Sequence, residues 1–159
     1  MYRETERKFR VTSTVFKALA DSMHYINQGY LNTDPERTVR IRIQDDQGIL
    51  TVKGIGDATG ASRFEWEKDV DVAEARLLMG LAEDYPVEKR RYRVLVGAHW
   101  WDVDVFLGAN ETLILAEIEL THLEEEFERP DWLGEEVTGD PRFYNSYLSK
   151  HPYSTWAEK

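Results

Sequence analysis

The chain has 159 residues, 42% hydrophobic, 12% aromatic and 31% charged, enough apolar surface to offset the entropy of ordering and enough length for a single domain, 1–159. Thirty Asp and Glu against twenty Lys and Arg leave a net charge of −10, a field that repels nucleic acid and anionic membranes. With no Cys, disulfides, thiolate catalysis and Cys-type zinc sites are excluded, and the charged opening MYRETERKFRV, with no long apolar run after it, predicts a cytoplasmic protein without signal peptide or membrane span.

Alternation at period two predicts eight strands, at about 3–11, 25–32, 38–44, 48–55, 63–71, 87–96, 99–107 and 112–120, each bounded by Gly, Pro, Asp or Asn. Between the first two, residues 13–24 carry Phe16, Leu19 and Met23 at helical spacing and read as a helix. DDQG at 45–48 reads as a hairpin turn, and GIGDATGAS at 54–62 as a longer mobile loop. Asp71 with Glu74, and Thr121 with Glu124, form N-cap pairs that open helices at about 72–83 and 122–128. Asp140 before Pro141 opens a last helix to about Lys150. The expected class is α+β, an antiparallel eight-stranded β-barrel with peripheral helices, because closure removes exposed edges.

Residues i and i+2 share one face of a strand. Sorted this way, the charged faces separate by sign: Glu4, Glu6 and Lys8; Arg40 and Arg42; Lys53; Glu65 and Glu67; Lys89, Arg91 and Arg93; Asp102 and Asp104; Glu117 and Glu119. Several opposite faces are apolar, among them Val39, Ile41 and Ile43, and Ile114, Ala116, Ile118 and Leu120. The plain alternative is a sheet with one face in water. A solvated face gains from mixed signs, however, whereas whole strands here carry like-charged doublets. If the faces turn inward, seven carboxylates (Glu4, Glu6, Glu65, Glu67, Asp104, Glu117 and Glu119) meet six cations (Lys8, Arg40, Arg42, Lys53, Lys89 and Arg91) in a channel. Such a lining is costly empty and is satisfied by divalent metal with a polyanion.

The segments ETERKF, QGYL, VRIR, TVK, FEWE, VEKRRY, DVDVF, AEIEL and WLGEEVTGDPRFYN occur in this order. Along essentially its whole length the chain resembles the CYTH-domain proteins, and among them the small bacterial triphosphate tunnel metalloenzymes. The resemblance implies an eight-stranded tunnel in which Lys8, Arg40, Arg42, Lys53, Lys89 and Arg91 hold a triphosphate. It implies that Glu4, Glu6, Glu117 and Glu119 form the metal cluster, assisted by Glu65 and by Glu67 or Asp104, and that Tyr30 points its hydroxyl into the tunnel. Hard carboxylate donors suit Mg or Mn.

No catalytic His is expected, because His24, His99, His122 and His151 fall at helix or loop positions with no common face. The tryptophans read as core and barrel shell, Glu124 to Glu126 as a solvated run, and WLGEEVT as packing that seals the barrel. The leading expectation is Mg- or Mn-dependent hydrolysis of inorganic tripolyphosphate, with Glu4, Glu6 and Tyr30 at the reacting centre. Lys89, crowded by Arg91, is a candidate base. The alternatives are a thiamine triphosphatase, a class IV-type adenylate cyclase, for which no nucleoside pocket is visible in the sequence, and a polyphosphate or nucleotide sensor. Apolar outer faces leave room for a homodimer.

Overall fold

The computed structural model describes residues 3–159. Its strands are β1 (Arg3–Val11), β2 (Ser22–Asn32), β3 (Arg37–Gln44), β4 (Gln47–Gly56), β5 (Ser62–Val70), β6 (Glu83–Val96), β7 (His99–Phe106), β8 (Ile114–Glu119) and β9 (Leu133–Glu136). Three short helices join them: α1 (Phe16–Leu19), α2 (Val72–Met79) and α3 (Asn145–Lys150). The strands run antiparallel in the order β5-β4-β3-β2-β6-β7-β8-β1-β9, and a β5–β1 pairing closes the first eight into a barrel.

Closure rests on β1, which has three partners. One edge pairs with β8 from Glu6 to Arg10. The other pairs with β5 through Arg3, Glu4 and Thr5, then with β9 through Phe9 and Val11. The WLGEEVT stretch therefore does seal the barrel, as an added ninth strand, fixed by a two-pronged hydrogen bond from Arg7 to Glu136 at 2.8 and 2.7 Å.

Apolar side chains lie in two places. Outside β1, β6, β7 and β8, Phe9, Val94, Trp101, Val103, Ala116 and Ile118 pack with Phe16 and Trp132. Inside one end, Val87, Phe106, Leu113 and Leu115 meet Phe143, Leu148 and Tyr153 from the C-terminal segment. That second cluster plugs the barrel. On a third side, α2 lies close against β2 and β4 because Gly29 and Gly48 are bare there. An added Cβ at either would come within 2.7 Å of Ala82 or Ala75.

Several expected elements differ. Helix at 13–24 shrinks to α1, since Ser22 onward is taken by β2, which pairs with both β3 and β6; tertiary pairing overrides the local period. No helix forms at 122–128: Thr121 is held by Glu125 instead of Glu124, and the chain runs on to bury Phe127 beside Phe9 and Trp101. Asp71 caps α2 as expected, but α2 stops at Met79 because Glu83 already pairs with Tyr30. Asp140 caps only a 3₁₀ turn, Pro141–Phe143, and the helix proper starts at Asn145. The loop expected at 54–62 is five residues, 57–61, docked where Gly60 meets Gly139 with both at positive φ. Turn 45–46 is as expected, Gln44 pairing with Gln47. Among the described residues no helix is long and apolar enough to cross a membrane.

Candidate active site

In a closed ring of eight strands, the strand four places away is diametrically opposite. β1 therefore faces β2, and their neighbours face each other likewise. The carboxylates Glu4 and Glu6 (β1), Glu65 and Glu67 (β5), and Glu117 and Glu119 (β8) occupy three adjacent strands. Arg40 and Arg42 (β3) and Lys89 and Arg91 (β6) flank β2 on the far side. The sign segregation in the sequence thus becomes an acidic wall across from a basic one.

The walls enclose a cavity of about 200 Å³. Every expected site residue except Asp104 lines it: Glu4, Glu6, Lys8, Tyr30, Arg40, Arg42, Lys53, Glu65, Glu67, Lys89, Arg91, Glu117 and Glu119. Asp102, already placed on the charged face of its strand, lines it as well; so do Arg63, Thr38, Thr51, Tyr144, Asn145 and Ser146, which were not foreseen. Arg63 was findable, since it shares a strand face with Glu65. Asn145 was not, because nothing local tells that its helix enters the barrel.

Asp104 lies beneath the lining. One oxygen accepts from Arg91 Nε at 2.8 Å; the other accepts from Arg91 Nη2 at 3.0 Å and pairs with Lys89 Nζ at 2.8 Å. Both of its oxygens are thus engaged by cations of the basic wall. Lys89 also donates to Asn145 Oδ1 at 2.8 Å. Burial, with Arg91 and Arg42 close by, pulls the Lys89 ammonium down to about 7 despite Asp104. Arg42 is likewise pulled down to about 9 by burial and the charges of Arg40 and Arg91. Arg42 Nε donates to Gln28 Oε1 at 2.9 Å. Arg40 reaches Thr51 at 2.9 Å and Glu67 at 3.3 Å, but its buried Nε has no partner. Lys89 and Arg91 share one buried Asp104 and Arg42 has no carboxylate partner among the described residues, so the wall has positive charge left over for an anion.

The acidic wall has the converse problem. Burial and the neighbouring Glu117 charge raise the Glu6 carboxyl to about 8, and the two share a hydrogen bond. Burial would raise Glu117 too, but Lys8, the bond from Glu6 and Arg91 hold it well below the usual range. Glu4 is held low against its burial by Lys53, 2.7 Å away, and by Arg63 at 3.3 Å. Glu65 and Glu119 are raised by burial and by Glu4. Among the described residues no three carboxylates stand gathered as a ready-made metal cage. Two buried carboxyls sharing one proton are nevertheless a donor set that a hard divalent cation fits, since it replaces the proton with charge for both.

No His lines this cavity. His24 and His99 lie in β2 and β7, not in helix or loop, and pair with Asp45 and Glu125. A second cavity of about 320 Å³ adjoins the first through Glu4, Glu6, Lys8, Thr38 and Arg63, and is walled by Pro35, Gly60, Pro141, Tyr147 and His151. No sign of this pocket is visible in the sequence alone.

A β-barrel whose interior sets a carboxylate wall against an arginine and lysine wall is a polyanion-binding tunnel. The CYTH domain family model matches residues 2–144, and the chain belongs to that family. It is 46% identical over 159 residues to an inorganic triphosphatase of Acetivibrio thermocellus, covering 99% of this chain and all of that one. It is 35% identical over 152 residues to an inorganic triphosphatase of Nitrosomonas europaea, covering 92% and 96%. A crystal structure of an inorganic triphosphatase superposes with a TM-score of 0.64 at 32% identity, over 92% of this chain and 97% of that one.

Proposed function

We propose that the protein is a Mg- or Mn-dependent triphosphatase that cleaves inorganic tripolyphosphate to pyrophosphate and phosphate. The observation that carries this reading is the partnerless Nε of buried Arg40 beside an Arg42 that is buried next to the charges of Arg40 and Arg91 and bonded at Nε only to neutral Gln28. The names of the relatives support the substrate.

Glu4, Glu6, Glu65, Glu117 and Glu119 would hold the metal, with Glu67 at the mouth. When bound, the metal would neutralise phosphate oxygens and lower the pKa of a water. Arg40, Arg42 and Arg91 bind the phosphoryl oxygens and stabilise their charge as the bond to the leaving pyrophosphate lengthens. Lys8 and Lys53 hold the rest of the chain of phosphates, and Tyr30 donates its hydroxyl to it. Lys89 is poised as the base: two of its hydrogens are committed to Asp104 and Asn145, and its remaining position faces the cavity to take a proton from the attacking water.

The side cavity, with its apolar walls, favours a second reading in which an organic triphosphate is also accepted. The protein reads as cytoplasmic, and exposed Met23 and Tyr25, two residues apart on one side of β2, leave a face on which a homodimer could form. A panel measuring orthophosphate, pyrophosphate and cyclic AMP from tripolyphosphate, ATP and thiamine triphosphate tests the function. Tripolyphosphate hydrolysis abolished by EDTA and restored by Mg or Mn is expected. Unchanged hydrolysis in excess EDTA overturns the metal assignment; cyclic AMP forming faster than phosphate makes the protein a cyclase; ligand binding without turnover makes it a sensor.

A further inference from the structure

Asn145 is the first residue of α3, the helix whose Leu148 belongs to the apolar plug. Its side chain leaves the plug and lines the charged cavity. There its Oδ1 accepts two hydrogen bonds, from Lys89 Nζ on β6 and from Gln28 Nε2 on β2, each at 2.8 Å. Gln28 is fully buried, and its own oxygen accepts from Arg42 Nε on β3 at 2.9 Å.

The direction of this chain follows from its ends. A guanidinium only donates, so Gln28 must turn its oxygen to Arg42 and its NH₂ to Asn145. Asn145 must then present oxygen, which is also what Lys89 requires. One carbonyl thus joins three neighbouring strands of the basic wall to the segment that closes the barrel. Without it, Lys89 keeps only Asp104 and the Gln28 NH₂ only a long bond to the Tyr30 hydroxyl at 3.4 Å, so both Lys89 and Arg42 gain freedom at the depth where phosphate must sit. A side chain whose work is to hold two ligating groups contributes through their geometry.

We propose that Asn145 is a positioning residue for the reaction, fixing Lys89 directly and Arg42 through Gln28, so that the base and a phosphate-binding cation are both set by the C-terminal plug. The inference rests on the roles given above to Lys89 and Arg42. It also gives chemistry to the RFYN end of a stretch that sequence alone assigns to packing.

The test uses the full-length protein with Mg or Mn and tripolyphosphate, comparing Asn145→Ala, Asn145→Asp, Gln28→Ala, the Asn145→Ala/Gln28→Ala double variant, and Lys89→Ala and Arg42→Ala as references. Asn145→Ala is expected to lower kcat/KM roughly 10- to 100-fold, the usual loss when an orienting group is removed. The double variant should be no worse than its worse parent, because the two residues act as one unit. Asn145→Asp keeps the acceptor but its charge moves the Lys89 acid limb to higher pH, so on the plateau above that limb it should return kcat to within roughly fivefold of the parent. It also serves if the alanine variant fails to fold. An Asn145→Ala enzyme within about twofold of the parent, additive losses, or an aspartate variant with no better kcat than the alanine one overturns the proposal. If Lys89→Ala and Arg42→Ala are themselves silent, the reading of the site fails and not only this inference.

Discussion

Lys89 and Asp104 lie 2.8 Å apart, each about 1% exposed. A pair so buried gains little net stability from its own attraction, but removing one partner strands the other. Asp104→Asn should destabilise the fold by about 3 kcal/mol or more, read by urea unfolding. The Mg or Mn concentration for half-maximal activity should stay unchanged, because both Asp104 oxygens are already taken by Lys89 and Arg91. A large rise in that concentration would return Asp104 to the metal cluster.

Lys89 sets an expected acid limb. If it takes a proton from water, it must start neutral, and burial places its transition at about 7. kcat/KM should then rise with pH through that value and level off above it. Lys89→Arg, charged throughout, should lose the limb and most of the rate. A profile that instead falls above about 7 would make Lys89 a phosphate ligand acting as ammonium.

Glu6 gives a stability prediction of the opposite kind. Its folded value of about 8 lies above the ordinary 4.5, so between these values the native state holds a proton that the unfolded chain has released. Stability of chelator-treated protein should therefore fall as pH rises from about 5 to 7, above which loss of the Lys89 proton in the folded state opposes the fall. Glu6→Gln should flatten that fall, and Mg or Mn should reverse it in the parent protein. Melting curves across this range suffice, and a metal-free protein that gains stability over it would refute the account.

The walls should separate kinetically. Glu117→Gln and Glu119→Gln each replace a charge with a near-isosteric amide, and a loss of order 100-fold in kcat is expected without unfolding. Arg42→Ala should raise KM as well, by roughly 10-fold or more, since a charge-assisted contact is lost in the ground state. Near-parental rates in both Glu variants would leave the acidic wall without a role in turnover.

Tripolyphosphate should stabilise the fold where its fragments do not. At 100 times its dissociation constant a ligand adds about 2.7 kcal/mol, roughly 5–10 °C for a domain of this size. Orthophosphate is too short to engage both Lys53 and Lys89. Thermal shifts at matched ionic strength with tripolyphosphate, orthophosphate and sodium chloride distinguish binding from screening, and equal shifts in all three contradict a tunnel site.

The strands and the lining were legible because both obey a two-residue period: Arg40 and Arg42 announce a common face whatever surrounds them. Their convergence was legible only from the sign pattern, since mixed charges would have suited water equally well. Residues 13–24 misled because a local helical spacing around Phe16 says nothing of the two strands competing for Ser22 onward. The Thr121 capping pair failed similarly: Glu125, which also bonds His99, takes Thr121 in place of Glu124 while Phe127 goes to the core. Asn145 and Gln28 were invisible because each matters only through a partner on another strand.

The three partners of β1 also bear on how the chain comes to be folded. β1 must wait for Arg63 on one edge, Glu117 on the other and finally Glu136, so its pairings span long stretches of chain and the ring-closing step is a slow, high-contact-order event. Until β8 has emerged, the nascent sheet β2 to β7 has open edges and an unneutralised interior. The barrel that excludes neighbours when complete is for that interval a template for them, and a chaperone or rapid release of the C-terminal residues would be of most use there.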